Sequence, residues 1–157
     1  MAIEIERKFL VKDDSWKALA INEGEYKQGY ITTQKVRTPR IRIVGNQGYL
    51  TIKGSRVGWS RFEFEYTIPL DDAKEIIDNY CDRPFIEKMR YKFLWKNLVW
   101  EIDEFFGKNK GLILAEVELE DENQNIELPP WVGKEVSDDP KYLNYNLVRH
   151  PYILWKK

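Results

Sequence analysis

Carboxylates and bases recur in this chain in files of like sign. The stretch "EIERKFLV", residues 4–11, read as a strand, puts Glu4, Glu6 and Lys8 on one face and Ile5, Arg7, Phe9 and Val11 on the other. The same alternation sets out Arg40 and Arg42 in "RIRIV", Lys53 in "YLTIK", and Arg61, Glu63 and Glu65 in "SRFEFEYTI". It recurs in Lys88, Arg90 and Lys92 of "EKMRYKFLW", Glu101 and Asp103 of "LVWEIDEFF", and Glu116, Glu118 and Glu120 of "AEVELE". Two carboxylates about 4 Å apart repel by roughly 4 kcal/mol at an effective dielectric of about 20. Repeated E-x-E files are therefore costly unless cations sit between them. Divalent metals with oxygen ligands meet that need. Files of Arg and Lys facing them suit an oxygen-rich anion, such as a chain of phosphates.

The rest of the sequence supplies the strands that would carry these files. With 157 residues, 43% of them hydrophobic and 32% charged, the chain is expected to form one soluble domain over 1–157. A net charge of −1 argues against a nucleic-acid partner bound by bulk positive field. Cys81 is the only cysteine, so no internal disulfide can form, which suits a cytoplasmic protein. No signal peptide and no membrane partner are expected, because the apolar runs are too short. A homodimer is compatible with the sequence.

Period-two segments begin at "EYKQGYITT" and continue through "RIRIV", the turn "GNQG" and "YLTIK". "EKMRYKFLW" and "LVWEIDEFF" form a hairpin about Lys96–Asn97, and "GLILAEVELE" is the last clear strand. Apolar residues Ala73, Ile76, Ile77, Tyr80 and Cys81 predict a helix over 71–81, opened by an Asp72–Glu75 capping box. Residues 14–20 predict a short helix with Trp16, Leu19 and Ala20 on one side, and Ser137–Pro140 predicts a helix start running to about Arg149, before Pro151. About eight hairpin-linked strands with few helices make a mainly β (α+β) fold, in which an antiparallel sheet tends to curl or close. Two arrangements satisfy the alternation. The apolar faces can fill the barrel with the charges in water, or the charges can line the bore with the apolar faces packed outward. Alternation does not separate them, but like-sign files favour a lined bore.

The series "EIERKFLV", "QGYI", "RIRI", "LTIKG", "RFEFE", "EKMRY", "WEIDEF" and "AEVELE", nearly end to end, resembles the CYTH superfamily, the triphosphate tunnel metalloenzymes. Its ending "WVGKEVSDDPKYLNYNL" is similar to that of the short bacterial inorganic triphosphatases. The resemblance implies an eight-stranded antiparallel closed β-barrel, a tunnel with a charged interior and a few covering helices. It implies hydrolysis of inorganic tripolyphosphate, or another triphosphate, with Mg²⁺ or Mn²⁺. By motif, Glu4, Glu6, Glu116 and Glu118 would bind metal, with Asp103 supporting the metal end. Arg40, Arg42, Lys53 and Arg90, with Lys88 and Arg61, would hold phosphates. Lys8 and Tyr30 would sit together near the attacked phosphorus, the phenol orienting the amine, which is expected to act as base; the competing role is a fixed charge.

Other activities of the superfamily, class IV adenylate cyclase and thiamine triphosphatase, require a pocket for an organic group, which no residue set here specifies. A non-catalytic polyphosphate- or nucleotide-binding module would not need four carboxylates. His150, the only histidine, lacks partners for a zinc site. The six Trp read as core or cover. Glu63 and Glu65 can serve as partners of neighbouring bases, Glu120 and Lys92 read as solvated strand ends, and Arg56 is a loop arginine that could either meet substrate at a tunnel mouth or stand idle. The tail "RHPYILWKK" leaves open whether Arg149 or a terminal lysine reaches the tunnel.

Overall fold

A computed structural model describes residues 2–32 and 39–155. In chain order its strands are β1 (Ala2–Val11), β2 (Ile21–Tyr30), β3 (Arg40–Val44), β4 (Gln47–Lys53), β5 (Ser60–Ile68), β6 (Ile86–Trp95), β7 (Leu98–Phe105), β8 (Ile113–Glu118) and β9 (Val132–Glu135). The first eight form an antiparallel sheet in the order β5-β4-β3-β2-β6-β7-β8-β1, and β1 closes it onto β5 through Ile3 opposite Phe62 and Glu4 opposite Arg61. The short β9 was not foreseen. It pairs with Phe9 and Val11, on the edge of β1 that β8 does not occupy. Strand β2 begins four residues before the predicted "EYKQGYITT" and ends at Tyr30; Thr33 lies outside the described residues.

Local chemistry sets the hairpins. Lys96 and Asn97 both take left-handed φ, 50° and 64°, between Trp95 and Leu98, which is the turn that matches strand twist. Gly45, at φ 57°, does the same ahead of Gln47.

The hydrophobic core lies largely outside the barrel. Phe9, Phe93, Trp100, Ile102, Ala115 and Val117 turn away from the charge files and pack under Trp16, Leu119, Trp131 and Val132. Helix α1 (Leu70–Tyr80) covers Ile41 and Leu50 through Ala73 and Ile77. Gly48 permits that approach, since a Cβ there would stand 2.8 Å from the Ala73 Cβ. The expected capping box does not form. Helix α1 begins after Pro69 with no side-chain cap, and Asp71 and Asp72 sit in its first turn, where the helix dipole favours them. The predicted helix at 14–20 is one 3₁₀ turn, Ser15–Ala18; it buries Trp16 but ends before Leu19, which is 76% exposed.

One end of the bore is filled with apolar side chains. Tyr30, Ile86, Phe105 and Leu114 close against Tyr142, Leu147 and Val148. The latter come from a 3₁₀ turn (Pro140–Tyr142) and helix α2 (Asn144–Arg149), separated at Leu143 by extended backbone where one continuous helix was predicted. No helix among the described residues is long and apolar enough to cross a membrane.

Candidate active site in the barrel bore

The inward faces of the strands enclose a cavity of about 260 Å³. Glu4, Glu6, Lys8, Tyr30, Arg40, Arg42, Lys53, Arg61, Lys88, Arg90, Glu116 and Glu118 all line it, so the charges face inward and the apolar faces outward. Ile3, Glu63, Glu65, Glu101, Thr51, Leu143 and the first two residues of α2, Asn144 and Tyr145, complete the wall.

The basic arc, from β3 and β6, is tightly held. The Arg90 guanidinium donates to both oxygens of Asp103, at 2.7 Å and 2.9 Å, and to Glu101 at 3.0 Å. Lys88 donates to Asp103 at 2.8 Å and to the Asn144 side-chain oxygen at 3.0 Å. Arg42 donates to Gln28 at 2.8 Å, and Arg40 donates to Thr51 at 3.1 Å. Asp103, expected at the metal end, is 1% exposed and has no place in the cavity wall; both of its oxygens are taken by the two bases. Against the penalty of burial, Arg90 and Lys88 hold its carboxyl well below the usual carboxylate range. Burial, with the neighbouring Arg40 and Arg90 charges, brings Arg42 down to about 10. Lys88 is lowered by burial and by Arg90 and Arg42, against the pull of Asp103. Four cations in one arc thus carry more positive charge than their surroundings neutralise, which is the condition of an anion site. The buried Arg40 Nε has no hydrogen-bond partner.

The acidic arc, from β1 and β8, is loosely held. Glu6 lies directly opposite Glu118, and Lys8 opposite Glu116. Glu4 shares Lys53 at 2.9 Å and Arg61 at 3.7 Å, whereas Glu6 meets Arg61 only at 3.8 Å. Partial burial and the charges of Glu4, Glu6 and Glu101 raise the Glu118 pKa above the ordinary glutamate value. These are hard oxygen donors crowded beyond what their partners neutralise, a set that fits a hard divalent cation. Among the described residues no three Asp, Glu, His or Cys side chains are already gathered as a metal cage. Lys53 and Arg61 stand among Glu4, Glu6 and Glu63 instead.

Lys8 and Tyr30 both line the cavity, but no hydrogen bond joins them among the described residues. Lys8 donates to the Tyr142 carbonyl at 3.2 Å and lies 3.3 Å from Glu116, while Tyr30 accepts from Gln28 at 3.1 Å. Although burial opposes it, Glu116 and Glu6 raise the Lys8 pKa, so its amine is charged.

Three polar contributors escaped the sequence reading: Thr51, which accepts from Arg40, and Gln28 and Asn144. Gln28 stands in the quoted "QGYI" motif but was passed over. Its oxygen accepts from Arg42, and its amide donates to Tyr30 and to Asn144. Asn144 comes from the C-terminal segment and has no periodic signal. Glu63 and Glu65 pair with Lys53 at 3.6 Å and Arg40 at 3.7 Å, as bases' partners. Arg56 donates to the Ser137 carbonyl at 2.6 Å. Among the described residues Lys92, half-buried within β6 rather than at a strand end, pairs with Glu23 at 3.6 Å, and Glu120 is exposed. Arg149 and His150 are exposed and stand apart from the cavity wall; Lys156 and Lys157 lie outside the described residues.

Known proteins share this fold and much of this sequence. Residues 2–150 match the CYTH domain model. The chain is 49% identical over 158 residues to an inorganic triphosphatase of Acetivibrio thermocellus, covering 100% of both chains. It is 36% identical over 145 residues to an inorganic triphosphatase of Nitrosomonas europaea, covering 90% of this chain and 93% of that one. A crystal structure of an inorganic triphosphatase superposes with a TM-score of 0.66 at 31% identity, over 92% of this chain and 96% of that one. On sequence, barrel closure and inward charge files together, this chain belongs to the CYTH domain family.

Proposed function

We propose that this chain hydrolyses inorganic triphosphate to pyrophosphate and phosphate, in the cytoplasm, with Mg²⁺ or Mn²⁺. The observation that carries the reading is one cavity walled by a basic arc and an acidic arc. Glu4, Glu6, Glu116 and Glu118 would hold the divalent ion. Such an ion, when bound, supplies charge neutralisation and Lewis acidity at phosphate oxygens. Arg40, Arg42, Arg90 and Lys88, with Lys53 and Arg61, grip the anion and fix it along the bore. Because Asp103 and Gln28 hold Arg90, Lys88 and Arg42 in place, little side-chain freedom remains to be lost when phosphate arrives. Lys8 enters as an ammonium beside Glu116 and stabilises charge on the departing or attacked phosphate. Tyr30, oriented by Gln28, presents its hydroxyl to the same cavity. The two like-named relatives, one matched over its full length, support triphosphate as the substrate class.

The test is phosphate release across tripolyphosphate, ATP, thiamine triphosphate and pyrophosphate, each with Mg²⁺ and with Mn²⁺. Tripolyphosphate should be cleaved fastest, and EDTA should abolish the activity. Cyclic AMP as the main product from ATP would replace the reading with a cyclase. Tight tripolyphosphate binding without turnover would replace it with a binding module.

A further inference from the structure

The carboxylates best placed for a metal are occupied by the chain's own cations. Lys53 projects from β4 opposite Glu63 of β5, yet its amine crosses β5 to reach Glu4 on β1, at 3.1 Å and 2.9 Å from the two oxygens. Arg61 spans Glu4 and Glu6 at 3.7 Å and 3.8 Å. A divalent ion on Glu4 and Glu6 would face these charges at close range, and like charges so near repel strongly. Both side chains line the cavity that the anion would fill, and both end long flexible stems. Phosphate oxygens would offer them an alternative partner.

We propose that Lys53 and Arg61 are exchangeable counterions: they hold Glu4 and Glu6 when no ligand is bound and pass to the triphosphate, so that anion and divalent metal bind with positive coupling. The identity of the anion rests on the triphosphatase reading. The exchange itself rests on the ion pairs. Linkage makes the coupling reciprocal, so metal also tightens the anion. Arg90, Lys88 and Arg42 do not share this role, since Arg90 and Lys88 are locked onto Asp103, and Arg42 onto Gln28.

The test is Mn²⁺ binding to the full chain without substrate, read from the paramagnetic resonance signal of free Mn²⁺. Lys53→Met should bind Mn²⁺ about tenfold more tightly than wild type, within the usual range of site coupling. Adding Glu4→Gln to Lys53→Met should remove that gain. Lys92→Met, which loses the same charge away from the cavity wall, should match wild type. An imido-bridged triphosphate, which resists cleavage, should bind Lys53→Met less tightly and show less help from Mn²⁺. Arg61→Leu should act in the same direction and serves if Lys53→Met does not fold. Mn²⁺ affinity no higher than wild type in both variants would overturn the exchange. So would failure of both to fold, which would make the pairs permanent supports. The measurement uses no turnover, so a failed triphosphatase assay would leave its result standing.

Discussion

The two arcs of one cavity are built on opposite plans. On the basic side, Asp103 accepts from Arg90 twice and from Lys88 once, all within 2.9 Å and away from water. On the acidic side, among the described residues, Glu6 has one ion pair, at 3.8 Å, and the partner of Glu4, Lys53, also reaches Glu63. Good geometry in low dielectric makes the first a rigid framework. The second is a set of charges whose partners can be exchanged. The anion grip is thus prepared during folding, and the metal end is completed by binding.

The largest test breaks the rigid side. Asp103→Asn should leave Lys88 buried without its carboxylate and Arg90 with Glu101 alone, and cost about 3–5 kcal/mol of stability. Urea unfolding measures it; a loss below about 1 kcal/mol would mean that the basic arc does not depend on this carboxylate. Glu6→Gln is the counterpart on the loose side. It should lower kcat/KM for tripolyphosphate by about 10³-fold, the scale of losing several kcal/mol of charge stabilisation, with melting temperature unchanged or higher. Equal damage to fold and activity in both variants would erase the contrast.

Lys8 lies between the arcs and tests where one ends. Lys8→Met should lower kcat by about 10²-fold. If the amine works as a charge, as its pairing with Glu116 indicates, Lys8→Arg should recover most of that loss with an unshifted pH profile. Arginine cannot serve as a base. A Lys8→Arg variant no better than Lys8→Met, together with the loss in the variant of an acidic limb present in the wild-type profile, would return Lys8 to the role of base.

Alternation made the files legible, and like-sign clustering favoured the inward choice, because one face of each strand carried Glu4 with Glu6, or Arg40 with Arg42. It could not distinguish Glu101 from Asp103. Both share a face of β7, yet Glu101 lines the cavity and Asp103 is covered by the side chains of β6. That difference depends on which neighbour reaches across, and no period records it. Asn144 was hidden for the same reason: its position is set by how the C-terminal segment folds back over the barrel end. A Lys8–Tyr30 pair was expected from motif proximity, but Gln28, two residues before Tyr30 on the same face of β2, takes the hydroxyl first.

The smallest effect bears most directly on the loose side. Glu118 stands exposed at the cavity wall, opposite Glu6, with its pKa raised by partial burial and by neighbouring carboxylates. A folded-state value above the unfolded one means that the native protein binds more protons through the window just above the ordinary glutamate value. This residue's contribution to stability therefore falls as pH rises through that window. Glu118→Gln carries no such titration. Its melting temperature should match wild type near pH 4 and exceed it at pH 7, by only about 1 °C, because water screens an exposed group. Added Mn²⁺ should reverse the order at pH 7, since the wild-type carboxylate gains a partner that the amide cannot hold as well. A variant that melts lower than wild type at pH 7 without metal would show that Glu118 is already satisfied, and that the acidic arc is as settled as the basic one.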